Sequence, residues 1–290
     1  MLLETEHLTK DYGRHRALDD LTLRIGPGEI FGLLGPNGSG KSTTIRLLLG
    51  FLRPTRGRAA IGGHDCWSDS VAVRRLVAYL PGELRLYERM TGEQLLRFLE
   101  GLRGQPLGPE AGQLARRFEI DLRRPIAALS SGMKRKLALM QVLLPRVPLL
   151  ILDEPTNTLD PSMRDELLGQ LLEAKKQGQT VLFSSHVLNE VERVCDRVGI
   201  LSGGRLVHVQ DMSELREARL ARVRFALPVP TPPALPGLEV QAEHDGELTI
   251  VCRGDPQPLL AWLAGQRVTD LRIEPLGLGP VYQRYHGGGP

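Results

Sequence analysis

The stretch Glu29-Ile-Phe-Gly-Leu-Leu34 followed by Gly35-Pro36-Asn37-Gly38-Ser39-Gly40-Lys41-Ser42-Thr43 decides the architecture. An apolar strand ends in a glycine-rich turn, and Thr44-Ile45-Arg46-Leu47 opens a helical pattern directly after it. The glycines let the backbone curl until successive N–H groups point at one centre, where the helix N-terminus adds partial positive charge. A strand–loop–helix unit of this kind cradles a phosphate chain. In it Lys41 reaches the β- and γ-phosphates, and the Ser42 hydroxyl offers an oxygen to Mg²⁺.

A second acidic element follows another apolar run, Leu149-Leu150-Ile151-Leu152-Asp153-Glu154-Pro155. Four apolar residues ending in two carboxylates predict a buried strand with charges at its C-terminal tip, where ligands gather in open α/β sheets. Asp153 is placed to hold Mg²⁺ and Glu154, one residue further, to face an attacking water as general base. A third element, Leu129-Ser130-Ser131-Gly132-Met133, precedes Lys134-Arg135-Lys136, a basic run that reads as a solvated face. Ser130 reads as an N-cap, and the helix after it, running Lys136–Leu144, presents an anion-binding N-terminus. Taken alone, it is equally an ordinary helix start.

Around these motifs the composition is that of a folded protein. The 290 residues are 41% hydrophobic, 24% charged and 4% aromatic, which argues against disorder, collagen and coiled coil. With 37 Lys+Arg against 34 Asp+Glu, the net charge of +3 gives no argument for nucleic acid as a partner. Cys66, Cys195 and Cys252 are scattered and odd in number, as expected in a reducing compartment. The opening MLLETEHLTKDYG lacks the pattern of a secretory leader, and no run approaches the roughly 20 apolar residues that span a bilayer.

Strands are predicted at Glu29–Leu34, Val77–Leu80, Leu149–Leu152, Thr180–Ser184 and Val198–Leu201, with a tight hairpin at Gly203-Gly204 leading into Leu206–Val209. Helices begin at the capping box Thr91–Gln94 and at the cap-plus-proline pair Asp160-Pro161. A further helical spacing runs from Val187 through Cys195 to Val198. Together these predict an α/β core built around the phosphate loop over residues 1–210. After residue 210 the composition changes. A short helix or linker over 213–221, a strand through Val223, Phe225 and Leu227, and a proline-rich loop come first. Leu238–Ala242 and Leu248–Cys252 then flank Asp245-Gly246, followed by a helix at Leu259–Leu263, an extended Val268–Ile273 and a frayed tail at 287–290. Residues 211–290 are thus expected to form a small α+β domain. There is one phosphate loop and no long internal repeat.

The order of phosphate loop, Leu129–Met133 and Asp153-Glu154 resembles the ATP-binding subunits of ABC transporters. The resemblance covers residues 3–210 and implies an α/β P-loop NTPase core with a helical subdomain carrying the Leu129–Met133 signature. Within it Asp160 matches the D-loop, His186 after Ser184-Ser185 the switch histidine, and Tyr12 the aromatic that stacks on adenine. It implies that two copies pack head to tail, with Ser130, Ser131, Gly132 and Asp160 of one completing in trans the ATP site built by Gly35–Thr43 of the other. It also implies Mg²⁺ beside Ser42 and Asp153, and His186 contacting the γ-phosphate. A membrane permease is the implied partner, placing the chain at the cytoplasmic face of the membrane.

Two positions depart from the family pattern. Ser131 and Met133 replace Gly and Gln of the usual signature, and the Gln expected after Val77–Leu80 falls on Gly82 in Pro81-Gly82-Glu83. Glu83 is either a substitute oxygen ligand or an exposed loop acid. Leu84, Leu86, Tyr87 and Met90 either meet the permease or pack in the core. The tail, with Leu278-Gly279-Pro280 before Val281-Tyr282, resembles the C-terminal domain of drug-exporter ATPases, which implies a dimerising and regulatory role without chemistry. An exporter ATPase for a drug, antibiotic, lipid or similar compound is the first reading. A soluble ABC-type ATPase and a regulatory nucleotide-binding module are the alternatives.

Overall fold

The computed structural model describes residues 1–104, 106, 108–226 and 228–286. It divides into two compact units, Met1–Gln210 and Asp211–Pro290.

The first unit opens with two long strands, β1 (Leu3–Tyr12) and β2 (His15–Ile25), then β3 (Ile30–Leu34) and helix α1 (Lys41–Leu48). Next come β4 (Arg56–Ile61), β5 (His64–Asp65), α2 (Ser70–Arg75) and β6 (Val77–Leu80). A helical layer follows, α3 (Gly92–Arg103), α4 (Glu110–Arg117) and α5 (Ser131–Leu143). The unit closes with β7 (Leu149–Asp153), α6 (Pro161–Lys176), β8 (Thr180–Ser185), α7 (Leu188–Val194), β9 (Arg197–Ser202) and β10 (Arg205–Asp211).

The central sheet has the order β10-β9-β3-β8-β7-β6, and its pairs β9–β3, β3–β8, β8–β7 and β7–β6 are parallel. Every residue of β3, β7 and β8 is buried. That is why these strands read as continuous apolar runs, since a parallel sheet is covered on both faces. A second, antiparallel sheet of order β2-β1-β4-β5 was not foreseen. Leu18, Leu21, Leu23 and Ile25 of β2 point into one core with Ile45 and Leu48 of α1 and with Phe31, Leu33, Ile151 and Leu182 of the central sheet. Helix α1, and the loop that starts it, are thereby held between two sheets. Each large apolar side chain so buried contributes roughly 1.5–3 kcal/mol.

The capping box at Thr91 forms as read, with Thr91 Oγ1 accepting from Gln94 N and Gln94 Oε1 accepting from Thr91 N. Asp160 caps α6 through Met163 N at 2.9 Å. The helical spacing from Val187 to Val198 overruns, because α7 stops at Val194 and Val198 lies in β9. Cys195 turns extended, and Asp196 accepts from the Ile30 amide while its own N–H donates to Ile30 O, pulling the chain into the sheet beside β3. Apolar positions spaced four apart fit a helix followed by a buried strand as well as they fit one longer helix.

In the second unit, α8 (Met212–Glu217) ends earlier than the 213–221 reading, because β11 (Ala218–Phe225) already begins there. β12 (Leu238–His244), β13 (Glu247–Arg253), α9 (Gln257–Ala264), β14 (Val268–Pro275) and α10 (Gly279–His286) complete it. The sheet order is β12-β13-β11-β14, all antiparallel. Asp245 and Gly246 both have positive φ, the conformation of a two-residue hairpin turn. Ala221, Val223 and Phe225 pack with Leu248, Ile250 and Cys252 against Leu259 and Leu263 of α9. The expectations for Leu227 and for the 287–290 tail lie outside the described residues.

Candidate active site

The sheet register brings the site together. Leu34 pairs with Ser185, Asp153 with Ser184, and Leu80 with Leu152, so the carboxyl ends of β3, β8, β7 and β6 form a row. The turns leaving these ends carry Gly35–Thr43, His186, Glu154 and Pro81-Gly82 respectively.

Gly40 caps α1 with φ +105, and a Cβ there would lie 2.9 Å from Ala17 O. Only glycine allows β2 to press this closely on the loop. Gly204 N also donates to Ser39 O at 3.2 Å. The Ser39 hydroxyl is buried and has no hydrogen-bond partner among the described residues, so the loop keeps an unspent polar group. Lys41 is 5% exposed. Its Nζ donates to Gly35 O at 2.7 Å and Pro36 O at 3.2 Å, and lies 3.3 Å from Glu154 Oε1.

Glu154 has φ +46, a left-handed conformation that costs a non-glycine residue on the order of 1 kcal/mol. Its Oε2 accepts from Asn157 Nδ2 at 2.7 Å and lies 3.4 Å from His186 Nδ1. Burial alone pushes its pKa up. The hydrogen bond from Asn157, the charge and N–H of Lys41, and His186 outweigh that, and the carboxyl sits below the ordinary carboxylate value. Asp153 is buried, and its Oδ1 accepts from Ser184 Oγ at 2.6 Å. The same Oγ accepts from Glu154 N at 2.9 Å. Ser184 thus fixes both acidic residues. Ser184→Ala removes a partner from each and is expected to lower unfolding stability by about 1–3 kcal/mol in a denaturant titration.

The structure brings Lys41, Asp153, Glu154 and His186 together. Among the described residues, Tyr12, Ser130, Ser131, Gly132 and Asp160 make no hydrogen bond or ion pair to any of those four. Ser130 caps α5, its Oγ accepting from Met133 N at 3.2 Å, and both Ser130 and Ser131 are exposed. A Cβ on Gly132 would lie 3.6 Å from Thr158 O, which sets the signature turn beside the loop leading to Asp160. Tyr12 is exposed at the end of β1, with Lys10 Nζ 5.3 Å from its ring centroid. It pairs with His15, two residues before the Ala17 carbonyl that touches Gly40. Glu83 is exposed, and it is Gly82 that lies against Asp153, a Cβ there standing 3.6 Å from Asp153 Oδ2.

The basic run Lys134–Lys136, read from sequence as a solvated face, needs correction at its centre. Arg135 is 2% exposed, and its guanidinium donates to backbone carbonyls at the tips of β6 and β7. Helical spacing explains why. The three consecutive residues point in different directions, and Lys134 instead meets the exposed Glu88 at 2.8 Å. Ser184 and Asn157 were also missed as members of the site. For Asn157 a signal existed, since it stands three residues after Glu154 in the same turn.

These residues fit a nucleotide with Mg²⁺. Among the described residues no three His, Cys, Asp or Glu side chains cluster to hold a metal. A divalent cation would find one buried carboxylate, Asp153, and one hydroxyl, Ser42, with other ligands left to phosphates and water, as Mg²⁺ prefers.

Comparison with known proteins gives the family. The family described as ABC transporter matches residues 18–157. An ABC transporter ATP-binding protein of Bacillus subtilis, itself uncharacterized, is 36% identical over 79% of this chain and 77% of its own length. The linearmycin resistance ATP-binding protein of the same organism is 32% identical over 74% of this chain and 70% of its own. A solved ATP-binding subunit of an ABC transporter superposes with TM-score 0.69 at 35% identity, covering 74% of this chain and 92% of that one. The chain belongs to the ABC transporter ATP-binding proteins, whose cassettes bind ATP and work with membrane permeases. Among the described residues no helix is long and apolar enough to cross a membrane.

Proposed function

We propose that this chain is the ATP-hydrolysing subunit of an exporter, driving a separate permease that moves a drug, antibiotic, lipid or similar compound out of the cytoplasm. One observation carries the hydrolytic part. Glu154 stands at the mouth of the phosphate loop with Lys41, Asn157 and His186 all on its carboxylate. Nucleotide draws Lys41 onto its phosphates, Glu154 orients and deprotonates the attacking water, and His186 holds the γ-phosphate. Tyr12 stacks on the adenine. Ser42 and Asp153 are the residues that would hold Mg²⁺, which when bound would supply charge neutralisation of the phosphates.

The exposed signature turn supports the second half of the reading. Ser130, Ser131 and Gly132, which make no hydrogen bond or ion pair to the cluster around Lys41 among the described residues, act in trans on the site of a second copy, beside Asp160. Export is supported by the relative named for linearmycin resistance. Docking of a permease, and with it a place at the cytoplasmic face of the membrane, is supported by an exposed apolar patch. In it Tyr87 and Phe98 meet edge-on at 5.8 Å, beside Leu102. Residues 211–290 serve as an accessory domain without chemistry.

Sedimentation tests the trans arrangement. Glu154→Gln is expected to shift from monomer to dimer with Mg²⁺ and ATP. Adding Ser130→Asp keeps the helix cap but sets a carboxylate before the partner's phosphate, and should return the protein to monomer while each copy still binds ATP. A double variant that dimerises as fully as Glu154→Gln alone overturns the arrangement.

A further inference from the structure

All five N–H groups of the Arg135 guanidinium are spent on backbone carbonyls. Nε donates to Pro155 O at 3.2 Å. Nη1 donates to Pro81 O at 2.9 Å and Gly82 O at 3.1 Å. Nη2 donates to Asp153 O at 3.2 Å and to Glu154 O. No carboxylate side chain takes part in these bonds. Burial depresses the guanidinium's pKa, and the nearby charges of Asp153 and Glu154 oppose that; an arginine stays charged even so.

The acceptors belong to two separate turns, one after β6 and one after β7, while the donor belongs to α5, the helix that starts at the signature turn. Three of the carbonyls are consecutive, from Asp153 to Pro155. For them to converge on one planar cation the chain must curl, and the residue in the middle of the curl is Glu154 with its φ of +46. A left-handed backbone at a non-glycine residue persists only where its surroundings over-determine it. Here the Ser184 hydroxyl takes the Glu154 N–H, and Arg135 takes the carbonyls on both sides. Gly82 has no side chain to hold the first turn against Asp153, so its carbonyl bond to Arg135 supplies that link.

We propose that Arg135 is a positioning residue for hydrolysis: it holds the turn after β7 in the curl that aims Glu154 at the phosphate loop, and it makes the signature helix and that turn move as one body. The proposal rests on the reading of Glu154 as the hydrolytic base. It requires the planar fork as well as the charge. A lysine has three donors on a single atom and cannot span acceptors on both turns.

The test uses full-length wild type, Arg135→Lys and Arg135→Gln. Steady-state ATP hydrolysis is expected to fall at least tenfold in kcat for Arg135→Lys and further for Arg135→Gln. Affinity for a fluorescent ATP analogue should stay within about threefold. Hydrogen exchange is expected to quicken at least tenfold at 82–84 and 154–157, with β3 and β8 unchanged. A kcat within twofold of wild type overturns the proposal. So does a loss of kcat, affinity and exchange protection spread evenly through the unit, which marks a residue that only supports the fold. If Arg135→Gln does not fold, Arg135→Lys carries the same outcomes. Should wild type itself hydrolyse no ATP, the reading of Glu154 falls. The exchange measurement then still decides whether Arg135 holds the turn.

Discussion

Glu154→Gln is expected to lower ATP turnover by about 10²–10⁴-fold while nucleotide binding stays within a few fold, because general-base catalysis supplies that range. In activation terms this is about 3–5 kcal/mol. The substitution keeps the side chain's shape. It retains one oxygen to accept from Asn157 or Lys41, and removes the charge and the basic lone pair. The phosphate loop, which does the binding, is untouched. Single-turnover hydrolysis with equilibrium titration of ATP separates the two quantities. A variant that turns over at the wild-type rate removes Glu154 from its role, and one that has lost ATP affinity equally places it in binding instead.

The candidate site was readable in the sequence wherever its chemistry is packed into consecutive residues. Gly35–Thr43 carries its own backbone geometry, and the carboxylates at Asp153-Glu154 end a run whose unbroken apolarity announces a doubly covered strand. The five parallel-paired strands of the central sheet showed for the same reason. The antiparallel sheet did not show, because β1 and β2 carry irregular pairing. Register shifts near Thr5, Leu8 and Lys10, and left-handed residues at His7 and Asp20, break the two-residue alternation that marks a strand. Arg135 was hidden differently. Its partners are main-chain carbonyls 18 to 54 positions away, and backbone acceptors leave no trace in residue identity. The same holds for Ser184, whose partners came into reach only once β7 and β8 were in register.

Replacing Lys41 with methionine is expected to abolish measurable turnover and weaken ATP binding at least tenfold, since the loop loses the one cation it buries. The pH dependence of stability gives an independent reading of the same contact. In wild type the Glu154 carboxyl is held below its unfolded value. Its charged form therefore contributes stability that is fully present above the ordinary carboxylate pKa, near 4.3, and is lost as pH falls through the lower, folded value. Without Lys41, two of the lowering influences vanish while burial, the largest influence, remains, so the pKa of Glu154 rises. The stability difference between wild type and Lys41→Met should thus be greatest from pH 6 upward and shrink as the pH falls through the carboxylate range. Denaturant titrations at a series of pH values measure it, and a pH-independent difference would show that the two groups are not coupled. The same coupling runs forward when ATP binds. If the phosphates take Lys41, Glu154 loses those same two lowering influences and keeps its burial, Asn157 and His186, so its pKa is expected to move upward and the carboxylate to become the stronger base that the proposed role requires.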